Sequence, residues 1–333
     1  MKMRKLGHLD TAVSAVGVGA MSFGNFYGPT TEENSLSILD AAANAGVTHI
    51  DTANVYAMGG SEAVIGKYFS LRSAANRERF FVATKASIAR DADGNRCFRN
   101  DLEHLEEELN KSLIRMKTDN VDLFYVHRRD PNVPIEEVAG ALGVLVEKGK
   151  TRGIGFSEIA PSSLRRAAKE HPVDAVQSEY SLSVRAPELG LVQACAELST
   201  SLVAFGPVGR SFLTDEPISQ CSVPKLDFLR VNPRFVEPNY SNNILATNGF
   251  RGLASEMGVP AASLAVAWVL AQGKHLFAIP GTRSVAHFEE LLLGGEITLT
   301  TADLATIDKV LPVGWAHGDR YSVEQAFGPE RFC

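Results

Sequence analysis

Four residues stand apart by type and by position: Asp51, Tyr56, Lys85 and His127. Asp51 closes the run Val47-Thr48-His49-Ile50, Lys85 follows Phe80-Phe81-Val82-Ala83-Thr84, and His127 follows Asp122-Leu123-Phe124-Tyr125-Val126. Tyr56 comes shortly after Asp51, on the segment that must leave the same strand end. Together they supply a carboxylate, a phenol, an ammonium and an imidazole. A phenol is a poor acid at neutral pH, with an ordinary pKa of ~10. A nearby ammonium stabilises the phenolate and lowers that value, and a carboxylate keeps the ammonium protonated and oriented. An imidazole can hydrogen-bond the oxygen that receives the proton. The set suits proton delivery to the oxygen of a carbonyl that accepts hydride. Each residue alone has an ordinary role as a cap, surface charge, polar core group or packing ring, so the reading rests on their converging.

Convergence depends on the elements. Short apolar runs alternate with longer amphipathic stretches almost throughout the chain. Strand-like runs are Val16–Gly19, Val47–Ile50, Phe80–Ala83, Asp122–Val126, Thr151–Phe156, Ala175-Val176, Leu202–Phe205 and Leu276–Ile279. Helix-like stretches between them include Thr31–Ala45, Ser61–Ser70, Asn100–Met116, Pro134–Lys148, Ser162–Glu170, Glu188–Leu198 and Ser284–Leu293. Strands alternating with helices imply parallel βαβ units, and eight such units close into a barrel. The expected fold is therefore α/β, a (β/α)8 TIM barrel in one domain over residues 1–333. It carries an N-terminal hairpin, a long loop after strand seven (206–242) and a C-terminal tail from Pro312 to Cys333. Barrel active sites lie at the C-terminal strand ends, and adjacent strands are ~5 Å apart, so Asp51, Lys85 and His127 would share the mouth.

Composition narrows the classes. A net charge of −6 argues against a general nucleic-acid surface. Cys97, Cys195, Cys221 and Cys333 form no C-x-x-C pair and no metal-ligand spacing, so free thiols in a reducing, cytoplasmic compartment and no metal are expected. No apolar segment follows the basic N-terminus, and the run Ala261–Ala271 is too short to span a bilayer, so neither a signal peptide nor a membrane partner is expected. The segment Gly153-Ile154-Gly155 lacks the third glycine of a dinucleotide fingerprint, and Gly60–Lys67 is one residue too long for a phosphate loop.

The stretch Asp51-Thr52-Ala53-Asn54-Val55-Tyr56, followed by Glu62 and Gly66, resembles the D-x-A-x-x-Y motif of the aldo-keto reductase superfamily. Val82–Lys85 resembles its lysine strand and Asp122–Arg128 its histidine strand. Gly153–Ser157 and Gln177–Leu182 match its carboxamide-binding segments, and Ile279–Arg283 its cofactor-phosphate segment. The motif style is closest to the pyridoxal and aryl-aldehyde reductase branches. The resemblance implies NADPH bound without a Rossmann fold, a small carbonyl substrate, and Tyr56 as proton donor supported by Asp51, Lys85 and His127. It implies that Ser157 and Gln177 hold the nicotinamide carboxamide while Phe205 stacks on the ring. Gly206, Pro207, Val208, Gly209 and Arg210 would follow the pyrophosphate, and Arg283 and His287 would face the 2′-phosphate. Met21, Ile279, Gly281, Thr282 and Glu290 would complete the cofactor contacts. Phe23, Phe26, Tyr27, Met58, Phe98 and Arg128 would rim the substrate pocket. Glu158 stands where many members have Asn, Phe205 where Tyr is frequent and Leu291 where Asn is usual. Gly281 stands where some have Lys, which moves the positive charge onto Arg283. Other readings are a non-catalytic NADPH-binding redox sensor and a Schiff-base enzyme using Lys85 as nucleophile.

Overall fold

The computed structural model describes residues 1–72 and 74–331, so Cys333 lies outside the described residues. The chain opens with an antiparallel hairpin of β1 (Met3–Lys5) and β2 (Ala12–Ser14). Then follow β3 (Val18–Gly19), α1 (Glu32–Asn44), β4 (His49–Asp51), α2 (Gly60–Arg72), α3 (Ala74–Arg79) and β5 (Phe81–Ala86). A second antiparallel hairpin, β6 (Ile88–Arg90) and β7 (Arg96–Phe98), precedes α4 (Leu102–Met116). The alternation continues through β8 (Val121–Val126), α5 (Ile135–Glu147), β9 (Thr151–Ser157), α6 (Pro161–Glu170), β10 (Ala175–Glu179), α7 (Leu191–Glu197) and β11 (Ser201–Phe205). The chain ends through α8 (Asn239–Glu256), α9 (Ala261–Ala271), β12 (Leu276–Ala278), α10 (Val285–Leu293), α11 (Thr301–Val310) and a tail.

Eight strands form one parallel sheet in the order β12-β11-β10-β9-β8-β5-β4-β3. A parallel bridge between Val16 and Ala278, with the Gly17 N–H donating to the Ala278 carbonyl at 2.8 Å, joins its two ends. The fold is the expected (β/α)8 barrel with its N-terminal hairpin. Local signals explain most elements. Asp101 caps α4 by accepting from the His104 N–H at 2.9 Å, and Leu105, Leu109, Leu113 and Met116 form its buried stripe. Gly66 lets α2 approach α4, because a Cβ there would lie 2.2 Å from the Arg115 carbonyl oxygen.

Two local readings change. The helix expected over Glu188–Leu198 splits, because Gly190 sits at φ 126 between a 3-10 turn (Ala186–Leu189) and α7. The β6–β7 hairpin, unforeseen from the sequence, turns on Asp91, whose Oδ1 accepts the N–H groups of Asp93 and Asn95 at 3.0 and 2.8 Å.

The first hairpin plugs the N-terminal end of the barrel. Its Leu6 and Val13 pack into the interior with Phe81, Leu123, Tyr125, Val203 and Phe277. The Gly7 N–H donates to Ser201 Oγ at 2.8 Å and the His8 N–H to Asp174 Oδ1 at 3.1 Å. With the floor closed, access is from the C-terminal strand ends.

Candidate active site

A cleft of about 1060 Å³ runs across that mouth, with Asp51, Tyr56 and His127 toward one end and Arg283 and His287 along it. Beneath the first group lies a buried ion pair. The fully buried Lys85 ammonium donates to Asp51 Oδ1 and, at 2.7 Å, to the Thr52 carbonyl. Asp51 Oδ2 accepts from Gln177 Nε2 at 2.8 Å, which ties β4 to β10 across the barrel. Behind them, Glu62 accepts from Thr84 Oγ1 at 2.5 Å and from Arg115 Nε at 2.6 Å, bracing the strand that carries Lys85. The Lys85 nitrogen lies 5.3 Å from the Tyr56 ring centroid, and the Tyr56 and His127 rings meet edge to face at 5.8 Å.

The electrostatics differ from the sequence expectation in one respect. Burial and the Asp51 carboxylate hold the Tyr56 phenol above its ordinary pKa, and the cation that opposes them is Arg128. The sequence expectation is that Lys85 pulls the phenol down; the net direction is instead upward, with burial the largest cause and the Asp51 carboxylate next. Burial lowers Lys85 and raises Asp51, while each partner's charge pulls the other back. His127 is held well below 6.5 by burial and then by Arg128, Lys85 and Arg96, so it is neutral. Its Nδ1 is buried without a hydrogen-bond partner among the described residues. Lys85 has two of its three donors held by Asp51 and Thr52 and no exposed surface, which works against a Schiff-base role.

The residues expected around the cofactor separate into wall and support. Met21, Ser157, Gln177, Phe205, Gly206, Pro207 and Val208 line the cleft, followed by Ile279, Gly281, Thr282, Arg283, His287 and Glu290. Arg283 donates to the Pro29 carbonyl at 2.9 Å and forms no ion pair with any described carboxylate. Gly209 is buried off the wall, where a Cβ would lie 2.9 Å from Ser183 Oγ. Arg210 also reaches the cleft, but its guanidinium donates to Glu179 Oε2 and the Arg320 carbonyl, both at 2.8 Å, between the rings of Phe228 and Tyr321.

Of the expected substrate rim, Phe26, Tyr27 and Arg128 line the cleft. The other three do not. Met58 is 96% exposed because Ala57 and Met58, at φ 50 and 53, turn the chain outward after Tyr56. Phe23 packs into the main core, and Phe98 is buried by stacking on Phe327 at 4.9 Å. Their places are taken by Ile88 and Arg96 of the unforeseen hairpin, Phe228 of the long loop and Tyr321 of the tail. The Asp-x-Asp-Gly turn was the available signal for the hairpin; Phe228 and Tyr321 had none.

Glu158, the residue in place of Asn, has a defined role. It sits at φ 58, accepts from Ser178 Oγ at 3.0 Å and from the Glu179 N–H at 2.7 Å, and pairs with Arg320 of the tail. Burial pushes Glu158 up, but Arg320 and Arg128 overcome this and leave it lowered and charged. Arg320 also reaches Glu179 at 3.4 Å, so the tail is pinned to the ends of β9 and β10.

Residues 15–312 match the model of the Aldo/keto reductase family. The chain belongs to this family. The NADP(+) aldo-keto reductase yakc of Schizosaccharomyces pombe is 36% identical over 96% of this chain and 94% of its own. A probable aldo-keto reductase 1 of Glycine max is 35% identical over 95% of this chain and 91% of its own. Among solved structures, a glycerol dehydrogenase of Gluconobacter oxydans superposes with a TM-score of 0.81 at 26% identity, covering 93% of this chain and 94% of its own. In this aldo-keto reductase the family's barrel is therefore present together with a cleft at its mouth and polar side chains gathered beneath it.

Proposed function

We propose that this aldo-keto reductase reduces an aldehyde or ketone to the alcohol by hydride transfer from NADPH, with Tyr56 as proton donor. The observation that carries the reading is the Tyr56 phenol on the cleft wall, beside a neutral His127 and above the Lys85–Asp51 pair. The cleft fits the cofactor. Ser157, Gln177 and the half-buried Phe205 ring lie at the Tyr56 end, backbone from Gly206 to Val208 runs along the wall, and Arg283 offers an uncommitted charge further along. Arginine suits a phosphate because its planar fork donates two hydrogen bonds. The named NADP(+) relative supports the same cofactor.

When bound, NADPH supplies the hydride. The residues of this chain handle the oxygen. His127, being neutral, hydrogen-bonds the carbonyl oxygen without giving up a charge-bearing proton. Tyr56 transfers its phenolic proton to that oxygen as the C–H bond forms on carbon, and recovers a proton from solvent. The raised pKa keeps the phenol protonated at neutral pH, so the acid form needed for reduction is present throughout. Lys85 and Asp51 hold the polar floor beneath the ring and keep it from collapsing onto an unpaired charge.

The reading is tested by following NADPH absorbance with the purified protein and a panel of aldehydes and ketones, with the alcohol identified chromatographically. Stoichiometric alcohol and NADP+ are expected. NADPH binding with no turnover of any panel member would instead support the redox-sensor reading.

A further inference from the structure

We infer that the preferred carbonyl substrate of this site is an anion, carrying a carboxylate or phosphate held by Arg96 and Arg128 while its carbonyl faces Tyr56. The inference rests on the reductase reading and adds the substrate class to it.

Two observations lead here. First, Arg128 follows His127 at the end of β8, and Arg96 opens β7 of the hairpin that extends β5; both line the cleft. Second, neither forms an ion pair with a carboxylate among the described residues. Arg128 Nη1 donates to the His127 carbonyl at 2.6 Å and to Ser157 Oγ at 3.0 Å, and the buried Arg128 Nε has no hydrogen-bond partner among the described residues. Arg96 lies over the Phe98 ring, 5.4 Å from its centroid. The two cations repel one another, and both weigh on His127.

Three of the surrounding carboxylates are paired with other cations. Asp51 pairs with Lys85, Glu158 with Arg320, and Glu179 with Arg210. Glu324, also on the cleft, accepts from Ser322 Oγ at 2.9 Å and pairs with neither arginine. The Tyr56 end of the cleft therefore holds an excess of positive charge, and an anion there would relieve the repulsion between the two arginines. The segment expected at the cofactor 2′-phosphate does not account for these arginines. From β8, the segment bearing Arg283 after β12 is reached through β5, β4 and β3 one way and β9, β10 and β11 the other, so the two lie on opposite sides of the ring. The remaining wall, Phe26, Tyr27, Phe228 and Tyr321, is aromatic, which suits a flat body between the anion and the rim.

The test compares 4-carboxybenzaldehyde with its uncharged methyl ester. The carboxylate should show a kcat/KM about tenfold or more above the ester, the range expected of hydrogen bonds to a charged group, and the ratio should shrink as salt rises. Arg96→Gln and Arg128→Gln should each lower the ratio and the double variant should abolish it, while Arg128→Lys should retain much of it. A second arm measures binding alone, by calorimetry of 4-(hydroxymethyl)benzoate and its methyl ester to protein saturated with NADP+. Preference for the anion in binding without turnover of any aldehyde would overturn the reductase reading and leave the anion site standing. Reduction of both aldehydes with equal kcat/KM, unaltered by the arginine variants, would overturn the anion site and leave the reductase reading standing.

Discussion

Two buried histidines mark the two ends of the same barrel. His49 opens β4 at the floor, and His127 follows β8 at the mouth. Both imidazoles are held neutral by burial, His49 at about 3 and His127 well below 6.5. Their surroundings differ. His49 is enclosed by the ring edges of Phe81 and Phe277 at 5.8 and 6.2 Å, and neither ring nitrogen has a hydrogen-bond partner among the described residues. His127 touches a phenol, borders a cleft and lies in the field of several cations. A lowered pKa therefore does not distinguish function from packing; what faces the group does. At the floor a neutral imidazole fills space. At the mouth it leaves a hydrogen-bonding group beside the Tyr56 phenol at the cleft.

Breaking the mouth should have the largest effect. Lys85→Met leaves the Asp51 carboxylate buried and unpaired, a change worth ~3–5 kcal/mol in comparable pairs, so both turnover and Tm should fall sharply. Adding Asp51→Asn should recover much of the Tm without restoring turnover. Recovery of both would mean that the pair supports the fold alone.

A smaller and more selective effect is expected at Arg283. Arg283→Ala should weaken NADPH relative to NADH by roughly 10- to 150-fold, the range for a hydrogen bond to a charged group, as read by fluorescence titration. An unchanged ratio would show that Arg283 only contacts the loop at Pro29.

The floor gives the smallest effect, and one confined to stability. The folded pKa of His49, about 3, lies below its ordinary 6.5. Protonation thus favours the unfolded chain. The contribution of neutral His49 is complete above pH 6.5 and is lost progressively as pH falls toward about 3. The Tm advantage of wild type over His49→Leu should shrink across that window, with kcat near neutrality little changed. A constant gap would show that His49 does not titrate on unfolding.

The same contrast explains what was legible in the sequence. Asp51, Lys85 and His127 could be found because each ends a strand, and barrel geometry brings strand ends together. The pairing of Glu158 with Arg320 could not, since it joins residues separated by 162 positions through a tail with no periodic pattern. Met58 misled because a left-handed turn, which residue type did not betray, directs it into solvent. Phe98 misled because it stacks on Phe327 of the same tail. The sign of the Tyr56 shift was not legible because sequence spacing places Lys85 nearby but does not reveal the burial of the phenol, the largest cause of its raised pKa, or the pull of Asp51 in the same direction.

The central claim, that the mouth reduces a carbonyl through the Tyr56 phenol, is tested most directly by Tyr56→Phe. The substitution removes one oxygen and keeps the ring against His127. With NADPH and an aldehyde turned over by the wild type, kcat should fall by about 10²–10⁴-fold while NADPH affinity, read by fluorescence titration, stays within about twofold. A kcat within about twofold of wild type would contradict the account.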